Sequence, residues 1–329
     1  MKRIAITGAT GFLGNRTARM LSEAGFEVTA LGRNIHAGRL LERDGIRFVR
    51  CEISDVARMK EAFRKQDAVV HCAALTSTWG KWEDFHATNV IGTRNVVQAM
   101  QGSSVQRWIH LSSGSVYMNG SHRLGVRETD PLPAKGIDFY SESKRLSERE
   151  ADAFSVIPVI TLRPLGIFGP GDRQWMPRIA RMGKIFRKIP QIDGGGNTID
   201  LTYIDNVVDA IIAALRAGPQ ALGNKYNISN GEPVDCYSTF DWILTQLGYY
   251  IRPWPISRER ALLIAGTLEN IHRVILPKFE PFLTRYAVHA LAESRTVNID
   301  AARRDLEYRA KISVREGLRR AVDDYRAHR

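Results

Sequence analysis

Tyr140 and Lys144 stand four residues apart in the segment 138–150. On a helix that spacing puts both side chains on one face, one turn apart. A free phenol titrates at about 10 and is a poor acid or base at neutral pH. An ammonium group beside it favours the phenolate and lowers that value. A serine-rich stretch, Leu111-Ser112-Ser113-Gly114-Ser115-Val116-Tyr117, lies a short way upstream. Ser113 can hydrogen-bond a substrate oxygen and hold it beside the tyrosine, with Ser112 and Ser115 as the alternatives. Phenol, cation and hydroxyl together suit the interconversion of a carbonyl and a carbinol, provided that a hydride carrier binds next to them.

The amino terminus supplies a place for such a carrier. An apolar strand at Ile4–Ile6 runs into a turn with glycines at 8, 11 and 14, and an apolar-periodic helix follows at once. A strand, a glycine turn and a helix N-terminus make an anion site, because unpaired N–H groups and the helix dipole face an incoming phosphate. Gly8 permits the tight turn, Gly11 lets the backbone approach a pyrophosphate, and Gly14 lets helix and strand pack closely. The residues expected around the dinucleotide are therefore Gly8, Thr10, Gly11, Phe12, Leu13 and Gly14.

These groups need a scaffold that brings residues 8, 113 and 140 together. Strand patterns at 27–32, 46–53, 67–74 and 107–113 alternate with helix patterns, including about 83–101 and 138–154, and a strand follows near 156–164. That alternation implies right-handed crossovers and a parallel sheet covered on both faces. The expected fold class is α/β, a doubly wound Rossmann sheet with ligands at the carboxyl ends of its strands. Beyond Pro170 the rhythm changes, and from 235 helices dominate. We expect a dinucleotide-binding domain over 1–170 and a smaller, mostly helical substrate lobe over 171–329, with about 199–229 returning to the first domain. Ile264, Leu268, Ile271 and Ile275 fall on one helical face. Core or pocket lining is the favoured reading of the 252–292 stretch, and a membrane-surface helix the less favoured one.

Composition narrows the partners. The 329 residues carry a net charge of +12, with 44% hydrophobic and 25% charged residues. The basic residues are spread along the chain, and their densest run alternates with acids, so solvated helix faces are favoured over a nucleic-acid surface. The three cysteines, Cys51, Cys72 and Cys236, form no CxxC pair and suggest neither a disulfide framework nor a metal site. The first strand begins at residue 3 and no apolar run approaches a membrane span, so a cytoplasmic protein is expected.

The chain also resembles the extended short-chain dehydrogenases/reductases. The resemblance rests on TGATGFLG at 7–14, HCAA at 71–74, NVIGTRN at 89–95, LSSGSVY at 111–117, YSESK at 140–144 and LRPLGIFGPG at 162–171. It implies that Tyr140 is the general acid/base, that Lys144 binds the nicotinamide ribose and tunes the tyrosine, and that Ser113 polarises the substrate oxygen. It further implies that Ala73 and Ala74 line the cofactor ribose and phosphate, and that Pro164, Gly166 and Ile167 pass the nicotinamide. Asn89 then holds the architecture rather than reacting. The family's acid near the adenine falls on Glu52, followed by Ile53, where Cys51-Glu52-Ile53 departs from the usual Gly-Asp-Leu. Members of the family dimerise through the helices flanking the site, so a homodimer is expected.

Cofactor and substrate class are read from single positions. Strand two ends in Leu31-Gly32-Arg33, with no acid to accept ribose hydroxyls and a guanidinium suited to a 2′-phosphate, so NADP(H) is favoured over NAD(H). Sugar-nucleotide members of the family carry an arginine for the diphosphate where this chain has Ile199. Within the family, STWGKWEDFHATNVIGT and IDLTYIDNVVDA look like the 3β-hydroxysteroid dehydrogenase branch, which includes 2-alkyl-3-oxoalkanoate reductases and decarboxylating sterol dehydrogenases. The resemblance thus implies a hydrophobic substrate, a β-keto acid or sterol-like molecule. A nucleotide-sugar epimerase or dehydratase with retained NAD is the alternative.

Overall fold

The strand residues Ile4, Ala5 and Ile6 are fully buried, as are Val69 and Val70, because this sheet is covered on both faces. A computed structural model describes residues 1–153, 157–185, 187–277 and 279–328; Phe154, the expected end of one helix, lies outside them. Seven parallel strands form the main sheet in the spatial order Lys225–Ile228, Val159–Pro164, Arg107–Leu111, Ala68–His71, Arg3–Thr7, Glu27–Gly32, Arg47–Arg50. The chain order reverses between Arg3–Thr7 and Ala68–His71, which opens a crevice at their carboxyl ends. This is the doubly wound α/β fold that the alternating pattern predicts.

Helices Phe12–Glu23 and Ile204–Arg216 pack together on one face, joined by the Arg16–Asp205 pair at 2.6 and 2.9 Å. Helices Val56–Phe63, Gly92–Met100 and Phe139–Asp152 cover the other face. A separate apolar cluster includes Phe168, Ile179, Phe240, Ile243, Val288 and Leu318 and lies in the second half of the chain. Short strands missed by the sequence reading stitch that half together. Lys188–Ile192 pairs with Arg252–Ile256, and Arg295–Val297 pairs with Arg123–Val126.

The 252–292 stretch meets the core-or-pocket expectation except at the end of its long helix: Leu283, Val288 and Leu291 are buried in the second cluster. Helix Arg258–Ile275 buries Ala261, Ala265 and Glu269, whereas Ile271, Val274 and Ile275 are exposed at 46%, 83% and 68%. The periodic face at Ile264 and Leu268 does pack inward, but it turns out to solvent by the last turn. No helix among the described residues is long and apolar enough to cross a membrane.

A buried ion pair fixes the Phe139–Asp152 helix to the sheet. The Glu148 carboxylate receives two hydrogen bonds from Arg163, at 2.8 and 2.6 Å, and both side chains are only 2% exposed. Arg163 also donates to the Tyr117 hydroxyl at 2.6 Å, and Lys225 approaches Glu148 at 3.3 Å. Removing one member of such a pair strands the other charge in low dielectric, at a cost of about 3–5 kcal/mol. Arg163→Met should lower stability by about that amount in urea denaturation; a loss below about 1 kcal/mol, the ordinary worth of an exposed pair, would show that the pair is not structural.

Candidate active site

The glycine turn is packed as a dinucleotide cradle must be. Gly8 has φ +69°, and a Cβ there would lie 2.6 Å from Ala73 Cα and N. A Cβ on Gly14 would lie 2.2 Å from the Gly8 carbonyl oxygen. The turn is therefore pressed between the first helix and the 72–74 loop with no room for side chains. Gly11 is the helix N-cap and makes no side-chain capping bond, which leaves the first-turn N–H groups of Phe12–Glu23 open at the crevice. The side chain of Thr10 lies against Gly32, whose Cβ would meet its Oγ1 at 2.5 Å. Arg33 follows directly, exposed, with no hydrogen bond or ion pair among the described residues.

The other expected cofactor residues follow the same row of strand ends. Ala73 and Ala74 are half-buried after Ala68–His71, and Glu52 is exposed after Arg47–Arg50. Ile53 packs its side chain on Gly92, and its carbonyl accepts from Asn95 at 3.1 Å. Pro164 is buried at the end of its strand, whereas Gly166, at φ +50°, is exposed and Ile167 half-buried. Phe12 and Leu13 are half-buried at the helix start.

Tyr140 sits in the first turn of helix Phe139–Asp152. The helix opens on a capping box in which Asp138 accepts from the Ser141 N–H at 2.8 Å and Ser141 accepts from the Asp138 N–H at 3.1 Å. Lys144, one turn on, is 3% exposed and donates to the Leu111 carbonyl at 2.6 Å. Burial pulls its pKa down to about 8, against the opposing pull of Glu148. Tyr140 keeps part of its surface open to the cleft, yet its surroundings push the phenol well above its ordinary value. Burial is the main cause; a hydrogen bond with Ser113 works the other way, and nearby Tyr286 and Asp138 add to the rise. Lys144 itself turns to the strand carbonyl.

The three candidate serines separate cleanly. Ser112 is 5% exposed and bonds Glu148, and Ser115 and Ser113 both line a cavity. Of the three, Ser113 is the one whose hydroxyl lowers the Tyr140 phenol, and its Oγ also caps the short 3-10 turn by accepting from the Ser115 N–H at 3.1 Å.

Asn89 occupies a π-helical segment, His86–Ile91, within the long helical stretch after strand Ala68–His71. Such a segment inserts one residue into the turn and occurs mostly at functional sites. The Asn89 carboxamide accepts from Leu75 N–H at 2.7 Å, donates to Leu75 O at 3.0 Å and donates to Ser143 at 2.8 Å. It thereby ties the 72–80 loop to the helix that carries Tyr140 and Lys144.

The cavity beside Ser113, of about 220 Å³, takes Tyr286, Ala290 and Leu291 from the 252–292 stretch, in line with the pocket-lining expectation, and the rest of its wall from segments the sequence did not mark. Its walls include Trp175, Ile199, Leu201, Phe240, Tyr286 and Leu291, with Asp200, Arg123 and Arg295 as its charged members. Apart from Arg123, those residues come from five separate elements or segments of the second half, and no local spacing links them. Burial raises the Asp200 carboxyl to about 6. Among the described residues no cluster of His, Cys, Asp or Glu is arranged to hold a metal.

The family model described as NAD dependent epimerase/dehydratase matches residues 4–229. The 2-alkyl-3-oxoalkanoate reductase of Stenotrophomonas maltophilia is 32% identical over 97% of this chain and 98% of its own length. The decarboxylating sterol-4-alpha-carboxylate 3-dehydrogenase of Mus musculus is 30% identical over 98% of this chain and 91% of its own. The solved structure of UDP-glucuronic acid 4-epimerase from Bacillus cereus with NAD shares the fold, with a TM-score of 0.76 at 20% identity, covering 98% of this chain and 96% of the other.

The depressed Lys144 value has a consequence for stability. Lysine titrates at its ordinary 10.5 in the unfolded chain and at about 8 in the fold. Between those values the unfolded state binds more protons, so stability rises with pH across that window and is flat below it. Compared with Lys144→Met, the wild type should gain stability as pH is raised from about 8 to about 10, read as the difference in urea midpoints. Parallel pH profiles of the two proteins would contradict a buried ammonium at this position.

Proposed function

As a member of the NAD dependent epimerase/dehydratase family, within the extended short-chain dehydrogenases/reductases, the chain is an NAD(P)-dependent oxidoreductase, and we propose that it is an NADP(H)-dependent reductase of a hydrophobic oxo substrate. The substrate class favoured is a β-keto acid of the 2-alkyl-3-oxoalkanoate type, with a sterol-like molecule beside it. The observation that carries this reading is the meeting of Ser113 and Tyr140 at a cavity walled by Trp175, Leu201, Phe240 and Leu291. The relatives that act on oxoalkanoates and sterol carboxylates support it. Against the sugar-nucleotide alternative, the cavity wall carries apolar Ile199, which cannot pair with a diphosphate.

The Gly8–Gly14 cradle suits a pyrophosphate, with Thr10, Phe12 and Leu13 around it. Arg33 stands exposed at the next strand end, free for a 2′-phosphate. Glu52, Ile53, Ala73, Ala74, Pro164, Gly166 and Ile167 are proposed to line the rest of the nucleotide along the strand ends. The nicotinamide, when bound, supplies the hydride. Tyr140 donates its proton to the substrate oxygen, and Ser113 holds that oxygen in place. A phenol kept protonated by burial is poised for this direction. Lys144 is proposed to bind the nicotinamide ribose and to stabilise the phenolate left after proton transfer. In the same reading the enzyme is cytoplasmic and a homodimer through the helices at 82–100 and 139–152. Residues 1–170 form its nucleotide domain and 171–329 its substrate lobe, with about 199–229 in the first.

Tyr140→Phe removes the proton donor and little else. Turnover of a 3-oxo acid should fall by about 10²–10⁴-fold, with NADPH binding retained by fluorescence titration; near-normal turnover would exclude Tyr140 as the acid. Arg33→Ala should weaken NADPH by about 10- to 100-fold, the worth of charge-assisted hydrogen bonds, and leave NADH almost unchanged. Equal loss with both cofactors would defeat the NADP assignment.

A further inference from the structure

The cavity has a cationic end that proton and hydride transfer leave unused. Arg295 opens the short strand Arg295–Val297, and its half-buried side chain lines the cavity. Its guanidinium is held at both terminal nitrogens: Nη2 donates to the Ala290 carbonyl at 2.9 Å, and Nη1 lies 3.1 Å from Met118 Sδ. The Nε is buried and has no hydrogen-bond partner. Arg295 takes part in no ion pair among the described residues. A partly buried guanidinium with an idle donor and no counter-charge is costly unless an anion arrives to meet it.

The rest of the cavity says which anion. Asp200, the sole acid of the lining, makes no ion pair with the arginine among the described residues: its Oδ2 accepts the Val297 N–H at 2.8 Å, its Oδ1 is buried without a hydrogen-bond partner, and burial raises its carboxyl to about 6. Arg123, half-buried, also lines the cavity, and its guanidinium donates to the Pro131 carbonyl at 3.4 Å. Tyr286 lines the same cavity, and its phenol adds to the rise at Tyr140. Around the hydroxyl pair and the guanidinium the walls are apolar. A ligand that meets both needs an oxygen for one end, an anionic group for the other, and alkyl surface against the walls.

We propose that Arg295 is the carboxylate-binding residue of this cavity, receiving the acid group of an aliphatic 3-oxo or 3-hydroxy acid whose C3 oxygen faces Ser113 and Tyr140. The proposal rests on the reductase reading for its oxygen-bearing end only. Planar guanidinium–carboxylate pairing is the strong form of such recognition. Sterol-type substrates without an acid group would leave this end empty.

Calorimetric titration of the NADP⁺-loaded protein with 3-hydroxyoctanoate and with its methyl ester reads the site without turnover. The wild type should bind the acid more tightly than the ester by at least about 10-fold, from hydrogen bonds to a charged partner. Arg295→Met should erase that preference while leaving the ester's affinity unchanged. Arg295→Lys, which keeps the charge without the fork, should retain part of it, and it decides the matter if the methionine variant melts early. Equal binding of acid and ester by the wild type would overturn the proposal. So would a preference that survives Arg295→Met and disappears in Arg123→Ala. Acid preference in a protein that reduces no 3-oxo acid would remove the reductase reading and leave this site standing.

Discussion

Glu148 is a carboxylate with almost no access to water, and the site is assembled around satisfying it. It stands eight residues after Tyr140 and four after Lys144, so one stripe of a single helix carries phenol, ammonium and carboxylate in register. Arg163 grips it with two hydrogen bonds, Ser112 adds a third, and Lys225 approaches from the outermost strand of that side. Arg163 lies in the carboxyl half of its strand and Ser112 just past the end of its own, whereas Lys225 opens the outermost strand. The helix cannot slide along the sheet without breaking these bonds, so the phenol is placed relative to Ser113 by an ion pair two turns away. This is positioning by a buried charge, where the cost of misplacement is larger than for any apolar contact.

The same low-dielectric setting governs the chemistry. Burial pushes the Tyr140 phenol up and the Lys144 ammonium down, so both groups move toward neutrality. His71 and His110, stacked at 5.6 Å beneath the lysine, are likewise held neutral by burial and by the lysine's charge, His71 at about 3. The protein alone thus favours a proton on the phenol. A cationic oxidised nicotinamide would favour the phenolate instead. The direction of proton transfer is then tied to the charge of the bound nucleotide rather than to lysine proximity.

Much of this was legible because it is local. The Gly8–Gly14 turn, the Tyr140–Lys144 spacing and the strand–helix alternation each encode backbone geometry within a few residues, and the seven-stranded sheet follows from them. The π segment around Asn89 was not legible, since its sequence reads as an ordinary helix and the distortion is stabilised by bonds to Leu75 and Ser143. Lys144 bonding the Leu111 carbonyl was hidden for the same reason: spacing shows which residues share a face and says nothing of a competing acceptor across the sheet. The cavity was least readable, because Trp175, Phe240, Tyr286 and Arg295 meet only after short strands such as Arg295–Val297 pair with Arg123–Val126. Periodicity also misjudged Ile271 and Ile275, because an apolar stripe records a helical face without recording where the covering layer stops.

The division of labour between the two halves explains why cofactor and substrate differ so much in legibility. A dinucleotide is met chiefly by backbone groups at strand ends, so its site demands glycine and small residues at fixed offsets. A hydrophobic substrate is met by side chains whose only shared requirement is that they be apolar and of fitting volume. Many sequences satisfy that requirement, and no spacing rule constrains them. What can be specific in such a pocket is its few polar atoms, because each must find a partner or remain costly. In this chain those atoms include the Ser113 and Tyr140 hydroxyls and the unpartnered Ser115 Oγ, Asp200 Oδ1 and Arg295 Nε. The substrate is therefore better defined by the polar atoms it must satisfy than by the shape of the apolar wall between them.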